Sequence, residues 1–268
     1  MRDNVIEYAD ANQSQNINLQ GEEPVVNSGI WITWYNLPEN GREAYLSWVH
    51  GAYIPRVLAR PGVLSAAHYA SESKVPISGE QGRLRHTNDS AVPAGDRYIL
   101  VFGGKNPYAF ADPMPATFHA GLPEQDRNML AMRVGERSNV MTVEAQVHGP
   151  DAKQRDDSAF SPCIQLGSFN SGSYVEEDEL ADWYAKWRLP CMEKLPGCVR
   201  VWKLVSVSGW AKHAVLYEFT SVEIRNAKFV DHESTNPEME AWTDRVVRKL
   251  VHAPGSPNVA CRIWPPVT

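Results

Sequence analysis

Residues 183–190, Trp183-Tyr184-Ala185-Lys186-Trp187-Arg188-Leu189-Pro190, with the Leu195-Pro196-Gly197 that follows, decide how this chain is read, because they occur twice. The earlier copy is Trp48-Val49-His50-Gly51-Ala52-Tyr53-Ile54-Pro55, followed by Arg60-Pro61-Gly62. Trp, Pro and Pro-Gly recur at one spacing (183 − 48 = 135, 190 − 55 = 135, 196 − 61 = 135) with no gap between them. A constant offset implies one unit written twice. Each copy is a helix with a proline inside it, where a kink or break is expected, and a Pro-Gly stop. Function is then to be sought where the copies differ.

Working outward, residues 29–35 are β-branched and aromatic and predict a strand, and 43–59 predict a helix with Tyr45, Trp48, Val49, Ala52, Ile54 and Leu58 on its apolar positions. Strands over 63–71 and 97–103, a helix over 123–134 and a strand over 137–147 complete the order βαββαβ. A polar linker, 150–161, leads to a second series: strand 163–169, helix 176–195, a hairpin of 198–207 and 210–220 closed by Ser208-Gly209, helix 237–251 and strand 258–264. A βαββαβ unit makes a four-stranded sheet with both helices on one face, and its bare face must be covered. A second unit can cover it. The predicted fold class is therefore α+β: tandem ferredoxin-like βαββαβ repeats forming an α+β barrel. The repeats are 28–149 and 162–268, and the polar residues 1–27 read as a flexible arm.

Composition excludes several classes. The chain has 268 residues, 43% hydrophobic and 22% charged, with a net charge of −6, which argues for a soluble protein and against a nucleic-acid surface. No apolar run approaches the roughly 18 residues of a membrane span. The N-terminus lacks the basic start and apolar middle of a signal peptide, so a cytoplasmic location is expected. Cys163, Cys191, Cys198 and Cys261 have no zinc spacing and read as reduced, mostly buried thiols. No GxGxxG, P-loop, HExxH or GxSxG motif occurs, so neither a nucleotide cofactor nor a metal is expected.

The pattern Trp-Tyr-x-x-x-His-Leu-Pro, then Pro-Gly-x-x-x-Ala-x-x-Tyr, resembles the dimeric α+β barrel proteins of the EthD-like and muconolactone-isomerase-like kind. Trp183-Tyr184 and Leu189-Pro190 match in the second copy, and Trp48, Pro55, Pro61-Gly62, Ala66 and Tyr69 in the first. The resemblance implies the same barrel, in which the space between the two sheets is expected to be a concave pocket. The family's members include isomerases, cyclases and monooxygenases, so the resemblance says little about chemistry. The family's His before Leu-Pro is Tyr53 in the first copy and Arg188 in the second. Two other histidines stand nearby in the first copy, His50 and His68, where the second copy has Ala185 and Lys203.

These differences place the expected working site in the first half. His50, Tyr53 and His68 are the candidate catalytic residues, since a His near neutral pKa beside a phenol suits proton shuttling. Tyr35, Tyr69, Arg188 and Glu218 are the candidate substrate-binding residues. Arg188 suits a carboxylate or phenolate but could equally pair with an acid such as Asp182. The long polar loop 72–96, with Arg83, Arg85 and His86, is expected as a lid above the first-half site, or else as a surface insertion. The expected function is a cofactor-independent enzyme acting by proton transfer, of isomerase, lyase or cyclase type, on a small aromatic or cyclic molecule. Two alternatives remain open. One is a haem- or oxygen-dependent oxidoreductase on the same barrel, with His213 and His232 as the available second-half histidines. The other is a non-catalytic binding or assembly protein. The expected partner is a small-molecule substrate, with no nucleic acid and no membrane, and a homodimer is left open.

Overall fold

The computed structural model describes residues 27–72, 83–152 and 159–267; the arm expected over 1–27, apart from Asn27, lies outside them. In chain order the first half is β1 (Gly29–Asn36), α1 (Arg42–Trp48), a π-helical turn (Val49–Tyr53), α2 (Ile54–Leu58), β2 (Val63–Ser71), β3 (Arg85–His86), β4 (Tyr98–Gly104), a 3-10 turn (Pro107–Phe110), α3 (Pro115–Ala120), α4 (Glu124–Leu130) and β5 (Val134–His148). The second half is β6 (Cys163–Asn170), α5 (Tyr174–Trp183), a π-helical turn (Tyr184–Arg188), α6 (Leu189–Met192), β7 (Cys198–Ser208), β8 (His213–Phe219), α7 (Val222–Phe229), a 3-10 turn (His232–Thr235), α8 (Pro237–Val247), β9 (Val251–His252) and β10 (Asn258–Trp264). The eight long strands were all predicted, within a few residues. Helices α3 and α7 and the short strands β3 and β9 were not.

Strand neighbours run β10-β2-β4-β1-β5-β7-β8-β6, and β6 pairs back to β10, so eight strands close into a barrel. The order within each half, β2-β4-β1-β5 and β7-β8-β6-β10, is the same ferredoxin-like one. β5 is 15 residues long because it serves both sheets, pairing with β1 near its start and β7 near its end. β10 performs the matching closure onto β2.

Strand alternation sorts the side chains into an inside and an outside. Ile30, Ile32, Trp34, Ala67, Tyr69, Leu166, Trp202 and Leu216 fill the barrel. Phe160, from the expected linker, plugs it against Trp202. The barrel interior is thus a packed core and not the concave pocket expected there. Outward-facing residues of each sheet pack beneath that half's helices, as two further clusters.

Both proline-bearing helices widen into a π turn at the same place, Val49–Tyr53 and Tyr184–Arg188. The cause is local. Pro55 and Pro190 have no N–H to give to the carbonyl four residues back. The preceding residues, Ile54 and Leu189, donate instead to Val49 and Tyr184, five residues back. The expected kink is therefore an extra residue in the turn, of the kind found often at functional sites. Gly62 and Gly197 then end the helices at φ 80° and 86°, where a side chain would be strained. No described helix is long and apolar enough to cross a membrane.

Candidate functional site

A cavity of about 200 Å³ lies in the second half, between the outer face of its sheet and its helices. Gln165, Gly167, Phe169, Val215 and Tyr217 form its floor, and Trp183, Tyr184, Arg188, Phe229, His232, Glu233 and Thr243 its helical wall. The space exists because of what stands on β6. Pairing of β1 with β4 and of β6 with β8 makes Trp31 and Thr33 the counterparts of Gln165 and Gly167. In the first half Trp31 fills the corresponding space, against Phe102, Phe110 and His119. A glutamine and a glycine leave it open.

Arg188 dominates the wall. The π turn aims it inward, where it is 5% exposed and lies 4.6 Å over the Trp183 ring and 5.7 Å from Phe229. Its Nη2 pairs with Glu233, and its Nη1 meets His232 Nε2 at 2.7 Å. Burial opposes its charge, but Tyr217 and Glu233 outweigh this and hold the proton more firmly than on a free arginine. Asp182, the acid proposed for it from sequence, pairs instead with Lys186. Since a guanidinium can only donate, His232 Nε2 must accept, and its Nδ1–H donates to Phe229 O at 2.5 Å. Burial, then Arg188, lowers the His232 pKa to about 4, so the ring is neutral.

The lid belongs here as well. β3 pairs in parallel with β9, and Arg83 reaches Glu233 at 3.1 Å and Asp244 at 3.0 Å. Arg83 and Leu84 line the second-half cavity, so this part of the loop does not cover the first half as expected. Residues 73–82 of that loop lie outside the described residues.

Two buried polar atoms of cavity-lining residues have no partner: Arg188 Nε and His252 Nδ1. Burial, then His86, lowers the His252 pKa to about 4, while a backbone hydrogen bond at Arg85 acts in the opposite sense. Two residues of the aromatic-walled cavity thus each carry a buried polar nitrogen without a protein partner. Buried polar groups are rarely left so.

In the first half the predicted residues do meet, in a different way. Tyr35 Oη lies 2.8 Å from His68 Nε2, and His68 Nδ1 lies 2.8 Å from His50 Nε2. A neutral His68 satisfies both contacts, linking a buried phenol to a half-buried imidazole. Burial, then His50, holds the His68 pKa well below the usual value, and burial alone lowers that of His50. Tyr53 is not in this chain: its hydroxyl meets His119 Nε2 at 2.6 Å. Arg133, which sequence reasoning missed, lies 4.6 Å over Tyr35 and 5.2 Å from Tyr53, and donates to Tyr45 Oη at 2.6 Å. Tyr69 and Glu218 face the barrel interior. Tyr69 donates to Ser161 O, and Glu218 accepts from Arg200, Trp202 and the Ser161 N–H. Both are held by protein groups, away from the cavity. Of the substrate-binding candidates only Arg188 lines it.

Sequence also missed His252, Glu233 and Gln165. Gln165 was findable in principle, as a polar residue opposite Trp31 once the strands are aligned. His252 depends on β9, two residues long, which leaves no pattern to read.

No family model and no curated protein matches the sequence. Among solved structures, an anthrone oxidase-like protein overlays with a TM-score of 0.54 at 11% identity, over 88% of this chain and 91% of that one. A protein described as a monooxygenase from Fusobacterium nucleatum subsp. nucleatum overlays at 0.52 with 9% identity, over 89% and 93%. At such identities the likeness establishes the fold: this is a chain of the α+β barrel class. Neither neighbour carries the name of an isomerase, lyase or cyclase, and the expected proton-transfer chemistry of that kind is withdrawn on this finding.

A haem is the group such a barrel raises, and the residues here do not fit one. Haem iron needs an axial ligand such as an open imidazole. Both nitrogens of His232 are engaged, and His213 is engaged by Lys203 at 3.0 Å and Glu177 at 3.0 Å. His252 Nδ1 has no partner, but it belongs to a space of about 200 Å³, room for a single ring and not for a tetrapyrrole. Among the described residues no group of three or more His, Cys, Asp or Glu could hold a metal ion.

Proposed function

We propose that this protein is an oxidoreductase that binds a small, single-ring aromatic molecule in the second-half cavity and oxidises it with dioxygen. The observation that carries this reading is the two buried nitrogens without a protein partner, Arg188 Nε and His252 Nδ1, on residues of an aromatic-walled cavity. A phenolate or enolate oxygen suits the arginine, whose charge stabilises the anion, and a second polar group of the ring suits the imidazole. Trp183, Tyr217 and Phe229 supply faces for the ring. An anion held in this way is electron-rich and is the form dioxygen oxidises most readily. If the ring carbon para to the phenolate oxygen is oxidised to a carbonyl, giving the quinone, one oxygen atom of dioxygen becomes that carbonyl, the other leaves as water with the ring and phenol hydrogens, and no external reductant is consumed. The names of the overlaid neighbours, an oxidase-like protein and a monooxygenase, agree with this class.

The same reading takes 28–149 and 162–268 as two copies of one EthD-like unit, supported by the paired π turns at a spacing of 135 (184 − 49 = 135). The experiment is oxygen uptake across a panel of phenols, hydroquinones and cyclic ketones, with binding followed by tryptophan fluorescence. Oxygen uptake with a substrate that also quenches Trp183 supports the reading. Turnover that continues unchanged without oxygen sinks it.

A second reading rests on the first half. Tyr35, His68 and His50 form a hydrogen-bonded line from a fully buried phenol to a half-buried imidazole, with Tyr53 and His119 as a neighbouring pair, and this line is a second place to take up the proton that the same dioxygen-dependent oxidation releases. If this is the working site, His68→Phe lowers turnover and Arg188→Met does not.

A further inference from the structure

The four cysteines play no part in the cavity, yet two of them are placed together by the sheet. β6 and β10 are antiparallel, and Cys163 stands directly opposite Cys261. The pair one step along is Arg262 and Pro162, and there the Arg262 N–H donates to the Pro162 carbonyl at 2.7 Å. Hydrogen-bonded and non-hydrogen-bonded pairs alternate in such a ladder, so Cys163 and Cys261 form a non-hydrogen-bonded pair. Pairs of that kind have Cα atoms about 4.5 Å apart, inside the range of roughly 4.4–6.8 Å that a disulfide spans. Directly opposite residues of adjacent strands point to the same face, so the two thiols are neighbours. Cys163 is fully buried, while Cys261 is partly exposed.

We propose that Cys163 and Cys261 form a two-thiol site that reduces a small hydroperoxide and closes to a disulfide between β6 and β10. The roles divide by exposure. Cys261, which the solvent reaches, is the attacking thiol, and Cys163, buried beside it, resolves the product. The neighbouring Cys163 thiol lowers the pKa of Cys261, while Cys261 and burial raise that of Cys163. Cys261 attacks the peroxide oxygen, the O–O bond breaks, an alcohol or water leaves, and Cys261 becomes a sulfenic acid. Cys163 then attacks that sulfur, and water leaves as the S–S bond forms. In total one hydroperoxide is reduced, two thiols are oxidised, and their two hydrogens end in the released alcohol and water. Cys191 and Cys198 serve as internal controls, because burial raises both pKa values, that of Cys198 to about 12.

The test uses the full chain, reduced and then freed of reductant, with hydrogen peroxide as the probe. After brief exposure the protein is alkylated and digested without reductant. The expected result is a linked Cys163–Cys261 peptide pair, with Cys191 and Cys198 still alkylated, and a rate for Cys261 at least ~10-fold above that of Cys191. In Cys163→Ala the sulfenic acid on Cys261 should persist and be captured by dimedone. In Cys261→Ser, peroxide consumption should fall to the background set by the other cysteines. Circular dichroism and a urea midpoint check that each variant is folded. A Cys191–Cys198 link that forms first, or a Cys163→Ala protein that yields no trapped sulfenic acid, overturns the assignment.

Discussion

The layer between sheet and helices is solid in the first half and hollow in the second, although the strands beneath run in the same order. In the first half Trp31, Phe102, Phe110 and His119 interlock, and Arg133 is wedged among Tyr35, Tyr45 and Tyr53. In the second half Gln165 and Gly167 lie beside Tyr217 and Val215 on the floor of a cavity of about 200 Å³. The π turn puts a buried ring, Tyr53, in the solid half and a buried cation, Arg188, in the hollow one. What differs is therefore not the frame but a few side chains that either fill or line one space. A frame that tolerates both can keep one half for stability and release the other for a ligand.

Filling and emptying that space should have the largest effects. Trp31→Ala removes the central ring of the solid half, and truncations of a buried Trp destabilise by about 3–5 kcal/mol. Urea unfolding measures this, and ligand binding in the folded fraction should be unchanged. The reverse exchange, Gln165→Trp, should abolish binding; it also removes an acceptor of the buried Arg225, a cost added to the roughly 1–3 kcal/mol of an overpacked site. If Gln165→Trp still binds ligand at full affinity, the cavity is not the site.

Next in size is Arg188→Met, which keeps much of the length and the apolar contact but removes the charge. A hydrogen bond to a charged group contributes about 1.5–3 kcal/mol, so binding of an anionic ligand should weaken roughly 10–150-fold. A neutral analogue should lose far less. Equal losses for both ligands would show that the charge does not recognise the ligand. His50→Ala and His68→Ala, measured beside it, decide between the two halves.

Acid should loosen both halves, through histidines that burial holds neutral. Burial lowers the pKa values of His119 in the first half and of His232 and His252 in the second from 6.5 to about 4. In the unfolded chain each takes up its proton near 6.5, so below that pH the unfolded state binds more protons. The contribution to stability is fully present above pH 6.5 and is lost as pH falls toward 4. Each group gives a slope of up to ~1.4 kcal/mol per pH unit in that window. His232→Gln should remove one such slope from urea-derived stability between pH 6.5 and 4. An unchanged slope would mean that His232 is already charged in the folded protein.

The frame was legible in the sequence because it repeats. Trp48 and Trp183, Pro55 and Pro190, and the Pro-Gly stops marked the helices, and strand alternation put His68 and Tyr69 on opposite faces, of which the structure makes Tyr69 the inner one. The site was less legible because it depends on absences and on long-range contacts. The asymmetry of His50 and His68 against Ala185 and Lys203 is real, but it marks a packed hydrogen-bonded chain, whereas the cavity follows from Gln165 and Gly167, residues with no chemical signature. Arg83 was visible in the loop, but nothing local says that the loop crosses to the other half and bonds Glu233 and Asp244. Glu218 looked like a pocket carboxylate because it interrupts an apolar strand. In the barrel it is the partner of Arg200 and Trp202.

The smallest effect separates two ion pairs at one helix end. Lys186 and Asp182 are 2.6 Å apart, but their side chains are 62% and 58% exposed. Water and salt screen such a pair, and holding two long side chains in place offsets much of the attraction. Lys186→Ala should therefore change stability by no more than about 0.5 kcal/mol. Arg188 and Glu233, two residues further along, have side chains only 6% and 15% exposed. Removing one partner there leaves a charge without a counterpart where water does not reach. Glu233→Gln should be felt several times more strongly than Lys186→Ala, and most strongly at low salt if the Arg83 contact carries part of it. Comparable losses from the two variants would mean that water reaches Arg188 freely. The cavity would then not be the shielded anion site proposed for it.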